Sequence, residues 1–177
     1  MNIGKGVRAE RSRVAGWRAW TVIETNDGIR LASVIYDTIW HPARPTIAAC
    51  RCGEAHVAPA LDCTCGFHAA RDPVDALTYL HGRDEPRTIC RVLGEVLLSR
   101  LVVETEAGYR GELANPLRLY VNNAEVAAEL ETSYRVPVLS LGCESASATT
   151  STAASAGSST SSCGAARTPW SWTVVSG

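Results

Sequence analysis

"TICRVLGEVLLSRLVVETEAGYRGELA", residues 88–114, is the longest apolar stretch of the chain, and its reading decides the fold. Leu93, Val96, Leu97, Arg100 and Leu101 have helical spacing, so a helix is one reading. Against it, β-branched residues dominate and Gly94 sits in the middle, where a helix would lose stability. The stretch therefore predicts strands, with Gly94 at a bulge or at a close approach of two backbones. "EAG" at 106–108 supplies a hairpin turn, and "PLRLYV" (116–121) adds a further strand.

Outward from there, "WRAWTVIE" (17–24) and "RLASVIY" (30–36) read as strands joined by the turn residues "TNDG". "TIAAC" (46–50) is a short strand after the break at "WHPARP". "DPVDALTYLHG" (72–82) predicts a short helix, with Asp72 as N-cap, Pro73 at the first helical position and an apolar face of Val74, Leu77 and Leu80. Asn122 or Asn123 can cap a second helix that runs through Tyr134. Val126, Leu130 and Tyr134 share its apolar face, and Pro137 stops it. Strands do not alternate regularly with helices, which argues against a doubly wound sheet. The expected class is α+β: a small, mostly antiparallel β-barrel or curled sheet with two short helices.

Three segments follow from composition. Residues 1–16 read as a flexible basic arm, 17–141 as a single globular domain, and 142–177 as a disordered tail. The tail is Ser, Thr and Ala-rich and lacks the bulky apolar groups that would offset ordering entropy. Up to residue 20 the chain carries Lys5, Arg8, Arg11, Arg13 and Arg18 against Glu10 alone, an arm able to touch phosphate. A net charge of −1 argues against a strongly basic nucleic-acid binder. With no apolar run near ~18 residues and no secretory pattern, the expectation is a cytoplasmic protein with no membrane span and with reduced thiols.

Against this background "CRCGEAHVAPALDCTCGFHAA" (50–70) stands out. It holds four of seven cysteines and two of four histidines. Residues i and i+2 of an extended chain point the same way, so both sulfurs of Cys50-x-Cys52 or of Cys63-x-Cys65 can face one point. Gly53 and Gly66 follow the pairs and allow tight turns. Zinc takes four tetrahedral thiolate or imidazole ligands, and a structural site is filled by protein. Two sets fit: Cys50, Cys52, Cys63 and Cys65, or one of Cys50 and Cys52 with His56, Cys63 and Cys65. Buried, inert thiols are the plain alternative. An odd cysteine count argues against a complete disulfide framework.

"HVAPALDCTCGFHAA" and "VLGEVLLSRLVVETEAGYRGELANP" together resemble a family of small bacterial proteins of high-GC Gram-positives and their mobile elements, a family with no assigned activity. The matching positions are Trp17 or Trp20, Cys50, His56, Pro59, Cys63, Cys65, Gly66, Phe67, Ala69, Val92, Gly94, Val96, Gly108, Tyr109, Arg110, Ala114 and Pro116. The resemblance covers about residues 17–139. It implies Cys50, His56, Cys63 and Cys65 as the metal ligands and leaves Cys52 as an additional cysteine of this chain.

The expected function is a zinc-stabilised binding module whose partner is nucleic acid or protein. The basic arm and Trp17, Trp20 and Trp40 as stacking platforms point to nucleic acid. The other reading is a zinc-dependent hydrolase in which three protein ligands leave a place for water, with His68 or Glu54 as base. Glu95, Glu104, Glu106 and Glu112, near Arg100 and Arg110, are expected in ion pairs rather than in acid–base catalysis.

Overall fold

The long apolar stretch forms two antiparallel strands, β5 (Thr88–Thr105) and β6 (Gly108–Val121), joined by a turn at Glu106 and Ala107. The computed structural model describes residues 8–36, 38–53, 56–82 and 84–140. Along β5 the burial alternates: Val92, Gly94, Val96 and Leu98 face the core, while Leu93, Glu95, Leu97 and Ser99 are half-buried on the other face. Gly94 sits at a close approach, and a bulge lies one residue beyond it. The pairing with β6 shifts register between Glu95 and Val96. A Cβ on Gly94 would collide with the carbonyl oxygen of Arg118 and stand 3.0 Å from the Trp20 ring.

A second irregularity was not visible in the sequence. The register shifts again between Ser99 and Val102, where Arg100 takes a left-handed φ of 65°. The bulge leaves the Leu101 N–H to donate to Glu112 Oε2 at 3.3 Å, and Arg100 Nη1 meets Glu112 Oε1 at 3.0 Å. One carboxylate thus closes both groups that the bulge sets loose.

The third long strand corrects the expected arm. β1 spans Arg8–Thr25 and pairs antiparallel with β5 from Arg8↔Glu104 to Ile23↔Thr88. Residues 8–16 are therefore sheet, not a flexible extension. Val14 and Gly16 lie opposite Leu98 and Val96 on the inner face, and Arg11 and Arg13 are exposed on the outer one. Charge on one face hid the alternation, and distant β5 supplies the hydrogen-bonding partner. Residues 1–7, and the tail from 141 onward, lie outside the described residues.

β2 (Gly28–Ser33) returns along β1 after a turn at Asn26 and Asp27. On its second edge β6 takes three short strands: β3 (Thr46–Ile47), β4 (Phe67–Ala70) and β7 (Val138–Ser140). A single pair, Trp17↔Ala70, joins β4 to β1. Pairing therefore runs from β1 through β5, β6 and β4 back to β1, and the sheet curls on itself.

Helix α2 (Ala124–Tyr134) is capped by Asn123, whose side chain accepts from the N–H groups of Glu125 and Val126. Val126, Leu130 and Tyr134 are buried as expected. The Tyr134 hydroxyl accepts from the Leu31 N–H at 2.8 Å and donates to the Trp40 carbonyl at 2.7 Å. Helix α1 (Pro73–Leu77) has its Asp72 cap, and a 3₁₀ turn over Thr78–Leu80 follows it. The expected apolar face is absent: Val74 and Leu77 are exposed, and Ala76 is the buried position. A five-residue helix has room for little more than one inward side chain. Trp20, Leu31, Trp40, Leu98, Leu119 and Leu130 fill the core at 0% exposure. Among the described residues no helix is long and apolar enough to cross a membrane.

Candidate metal centre

β3 and β4 pair with neighbouring parts of β6, and the chain between them, residues 48–66, must leave β6 and return to it. The first cysteine pair sits where this loop departs. The second sits where it rejoins the sheet, just before Phe67. Sheet register thus brings the two halves face to face although Cys50 and Cys63 are 13 positions apart in the sequence.

Four donors converge there. The sulfurs of Cys50, Cys63 and Cys65 and a ring nitrogen of His56 all lie within 4.8 Å of one another, and all four residues are half-buried. Cys50 Sγ is 3.6 Å from Cys63 Sγ, and His56 Nε2 is 3.3 Å from Cys65 Sγ. Two thiolates on one tetrahedral zinc, each at about 2.3 Å from it, would be ~3.8 Å apart, and a thiolate and an imidazole slightly less. The cluster has the donor types and the spacing to hold a metal ion. Of the two ligand sets open in the sequence, the geometry assembles the one containing His56, with Cys50 as its first member. Cys52 is exposed, and its sulfur stands 2.9 Å from that of Cys50.

The loop is built to hold this shape. Gly66 has φ +113°, a conformation that L side chains rarely adopt, and a Cβ there would press on the Pro59 ring at 3.0 Å. Pro59 is fully buried. Arg110, buried on β6 opposite His68, donates through Nη1 to the carbonyls of both Cys63 and Cys65, the latter at 2.9 Å. The sequence placed Arg110 in an ion pair with a nearby glutamate. Instead it clamps the backbone that carries two of the sulfurs. No local signal betrays this role, because it depends on which β6 residue lies across from β4.

The electrostatics favour thiolate. The Cys65 backbone N–H donates to Cys63 Sγ, and neighbouring thiols add to the effect, so Cys63 is brought down to about 7 despite opposing desolvation. The Cys52 N–H also donates to Cys50 Sγ, at 3.4 Å. Cys90, by contrast, packs against the core, and burial pushes its thiol up.

His68 hydrogen-bonds the Thr64 carbonyl through Nε2 at 2.8 Å, and desolvation lowers its pKa. Glu54 lies outside the described residues. Glu95, Glu104 and Glu112 are paired with Arg118, Arg71 and Arg100. Trp20 and Trp40 are fully buried, which removes them as stacking platforms. Trp17 is half-buried and stacks on Tyr120, with ring centroids 5.7 Å apart. Arg18, expected in the arm, lies over the rings of Trp40 and Phe67, and burial lowers its pKa to about 10. It also donates to the His68 carbonyl at 2.6 Å and so ties β1 to the start of β4.

No family model, no curated protein and no solved structure matches this chain.

Proposed function

We propose that the protein is a cytoplasmic binding module whose loop 50–65 is clipped to the sheet by a structural zinc ion held by Cys50, His56, Cys63 and Cys65. The convergence of these four donors carries the reading. Three sulfurs and one imidazole suit zinc better than a hard, oxygen-seeking cation. Four protein donors complete a tetrahedral shell and leave no place for a reacting water, which disfavours the hydrolase reading. The bacterial family resembled in the cysteine and "GYR" motifs belongs to this proposal, since it implies the same ligands.

Nucleic acid is the proposed partner. Arg11 and Arg13 stand exposed on the outer face of β1. Further along the same strand, Trp17 lines a shallow groove with Arg71 and Glu95. Such a face can contact backbone phosphate while the stacked Trp17 presents an aromatic edge.

The metal content of protein purified without chelator tests the first part. About one zinc per chain, absent from Cys63→Ser/Cys65→Ser, is expected. A metal-free, folded parent with freely titrating thiols would refute it. Anisotropy of a labelled single strand, titrated against Arg11→Glu/Arg13→Glu at several salt concentrations, tests the second. Binding that is salt-dependent and weakened by the variant is expected, and salt-independent or absent binding would refute it.

A further inference from the structure

Five cysteine and histidine donors stand around a centre with four places. Cys50, His56, Cys63 and Cys65 form the mutually close set, and Cys52 is the fifth. Its sulfur lies 2.9 Å from Cys50 Sγ, and its thiol also reaches towards Cys63. Cys52 is the exposed one, while the other three cysteines are half-buried. An oxidant arriving from solvent therefore meets Cys52 first, directly beside a sulfur that the metal uses.

We propose that Cys50 and Cys52 form a thiol–disulfide switch that takes Cys50 out of the metal's ligand set when the protein is oxidised. This rests on the zinc reading above. The co-reactant is a hydroperoxide. Cys52 thiolate attacks the peroxide O–O bond, becomes a sulfenic acid and releases hydroxide. Cys50 thiolate then attacks that sulfur, the S–S bond forms, and a second hydroxide leaves. Two thiols and one hydrogen peroxide give one disulfide and two waters. A bound metal would then have only His56, Cys63 and Cys65 to hold it and would be bound less tightly.

The local structure suits a reversible device. A disulfide across a single intervening residue, Arg51, closes a small ring, and strained disulfides are the readily reduced, regulatory kind. The second half of the site does not depend on the first. Arg110 holds the Cys63 and Cys65 carbonyls from β6 whether or not Cys50 is bound. The device would therefore free the departing end of the loop while the returning end stays on the sheet.

The test is zinc release from the full chain under hydrogen peroxide, followed with a chromogenic chelator, with the linkages mapped by mass spectrometry after thiol blocking. Parent protein is compared with Cys52→Ser and with Cys52→Ala, the second because serine could stand in as a weak donor. The expected result is equal zinc loading in all three, a Cys50–Cys52 disulfide in the parent that thiol reductant and zinc reverse, and release slowed at least about tenfold in both variants. Equal release rates, or a parent disulfide linking Cys63 to Cys65 or to Cys50, would overturn the switch. Should the parent hold no zinc, the metal reading fails by itself. Mapping the metal-free protein then decides the pair: a Cys50–Cys52 link keeps it as a redox couple, and any other link removes it.

Discussion

Single residues govern this protein where backbones come close. Gly94 has no room for even a methyl group, because the Arg118 carbonyl and the Trp20 ring occupy the space. Gly94→Ala must displace backbone rather than the end of a flexible side chain, so it should cost at least ~2 kcal/mol, read as a lower urea midpoint at unchanged slope. Arg110 acts at the same scale on the other side of the sheet. Arg110→Met removes the donor shared by the Cys63 and Cys65 carbonyls without touching a sulfur. It should weaken zinc binding by roughly 10- to 100-fold in chelator competition while far-UV circular dichroism stays unchanged. Gly94 was legible in the sequence, because a glycine inside a β-branched run has few explanations. Arg110 was not, because its partner is set by strand register. The choice of Cys50 over Cys52 has the same cause: spacing brings both sulfurs of a C-x-C to one side, and only the returning half of the loop selects between them.

Elements were legible in proportion to how much of their reason is local. Helix α2 carries its own cap, apolar face and stop, and the structure follows them. α1 kept its cap and lost its expected face, since five residues cannot sustain a stripe. β4 escaped notice because four residues after a tight turn show no periodicity, and β1 was cut short because its first half owes its order to β5. The attachment of α2 offers a sharp test. The Tyr134 hydroxyl is the partner of both the Leu31 N–H and the Trp40 carbonyl, so Tyr134→Phe leaves two buried backbone groups short and should cost about 1–3 kcal/mol. Burial also raises the Tyr134 pKa above its ordinary value of 10.0. A group raised on folding lends stability that is complete below its unfolded pKa and is lost as pH climbs through the folded one. Denaturation between about pH 8 and pH 11 should therefore show an alkaline decline that Tyr134→Phe flattens.

For the whole molecule, the zinc reading proposed above makes the core and the clip separate sources of stability. Trp20, Leu31, Leu98, Leu119 and Leu130 are brought together by β1, β2, β5, β6 and α2, and none belongs to the loop that carries the sulfurs. Removing the metal should therefore loosen one loop and leave the sheet. By analogy with a covalent link closing about 15 residues, the clip contributes up to ~3 kcal/mol, so a strong chelator should lower the melting temperature by roughly 10 °C with sheet content retained. Loss of the sheet on chelation would mean that the clip nucleates the fold.

The aromatic chain that begins at Phe67 has a practical consequence. Phe67 is the first residue after the second half-site and its glycine, its ring lies 5.0 Å from that of Trp40, and Trp40 lies 5.3 Å from Trp20. The indole N–H of Trp40 is also bonded to Ser33 Oγ at 3.1 Å. The returning end of the loop is thus joined to a buried fluorophore through a single ring contact. With Trp170 and Trp172 replaced by phenylalanine, the intrinsic emission of the protein would report a shift of the Cys63–Cys65 half-site in real time, with no dye attached.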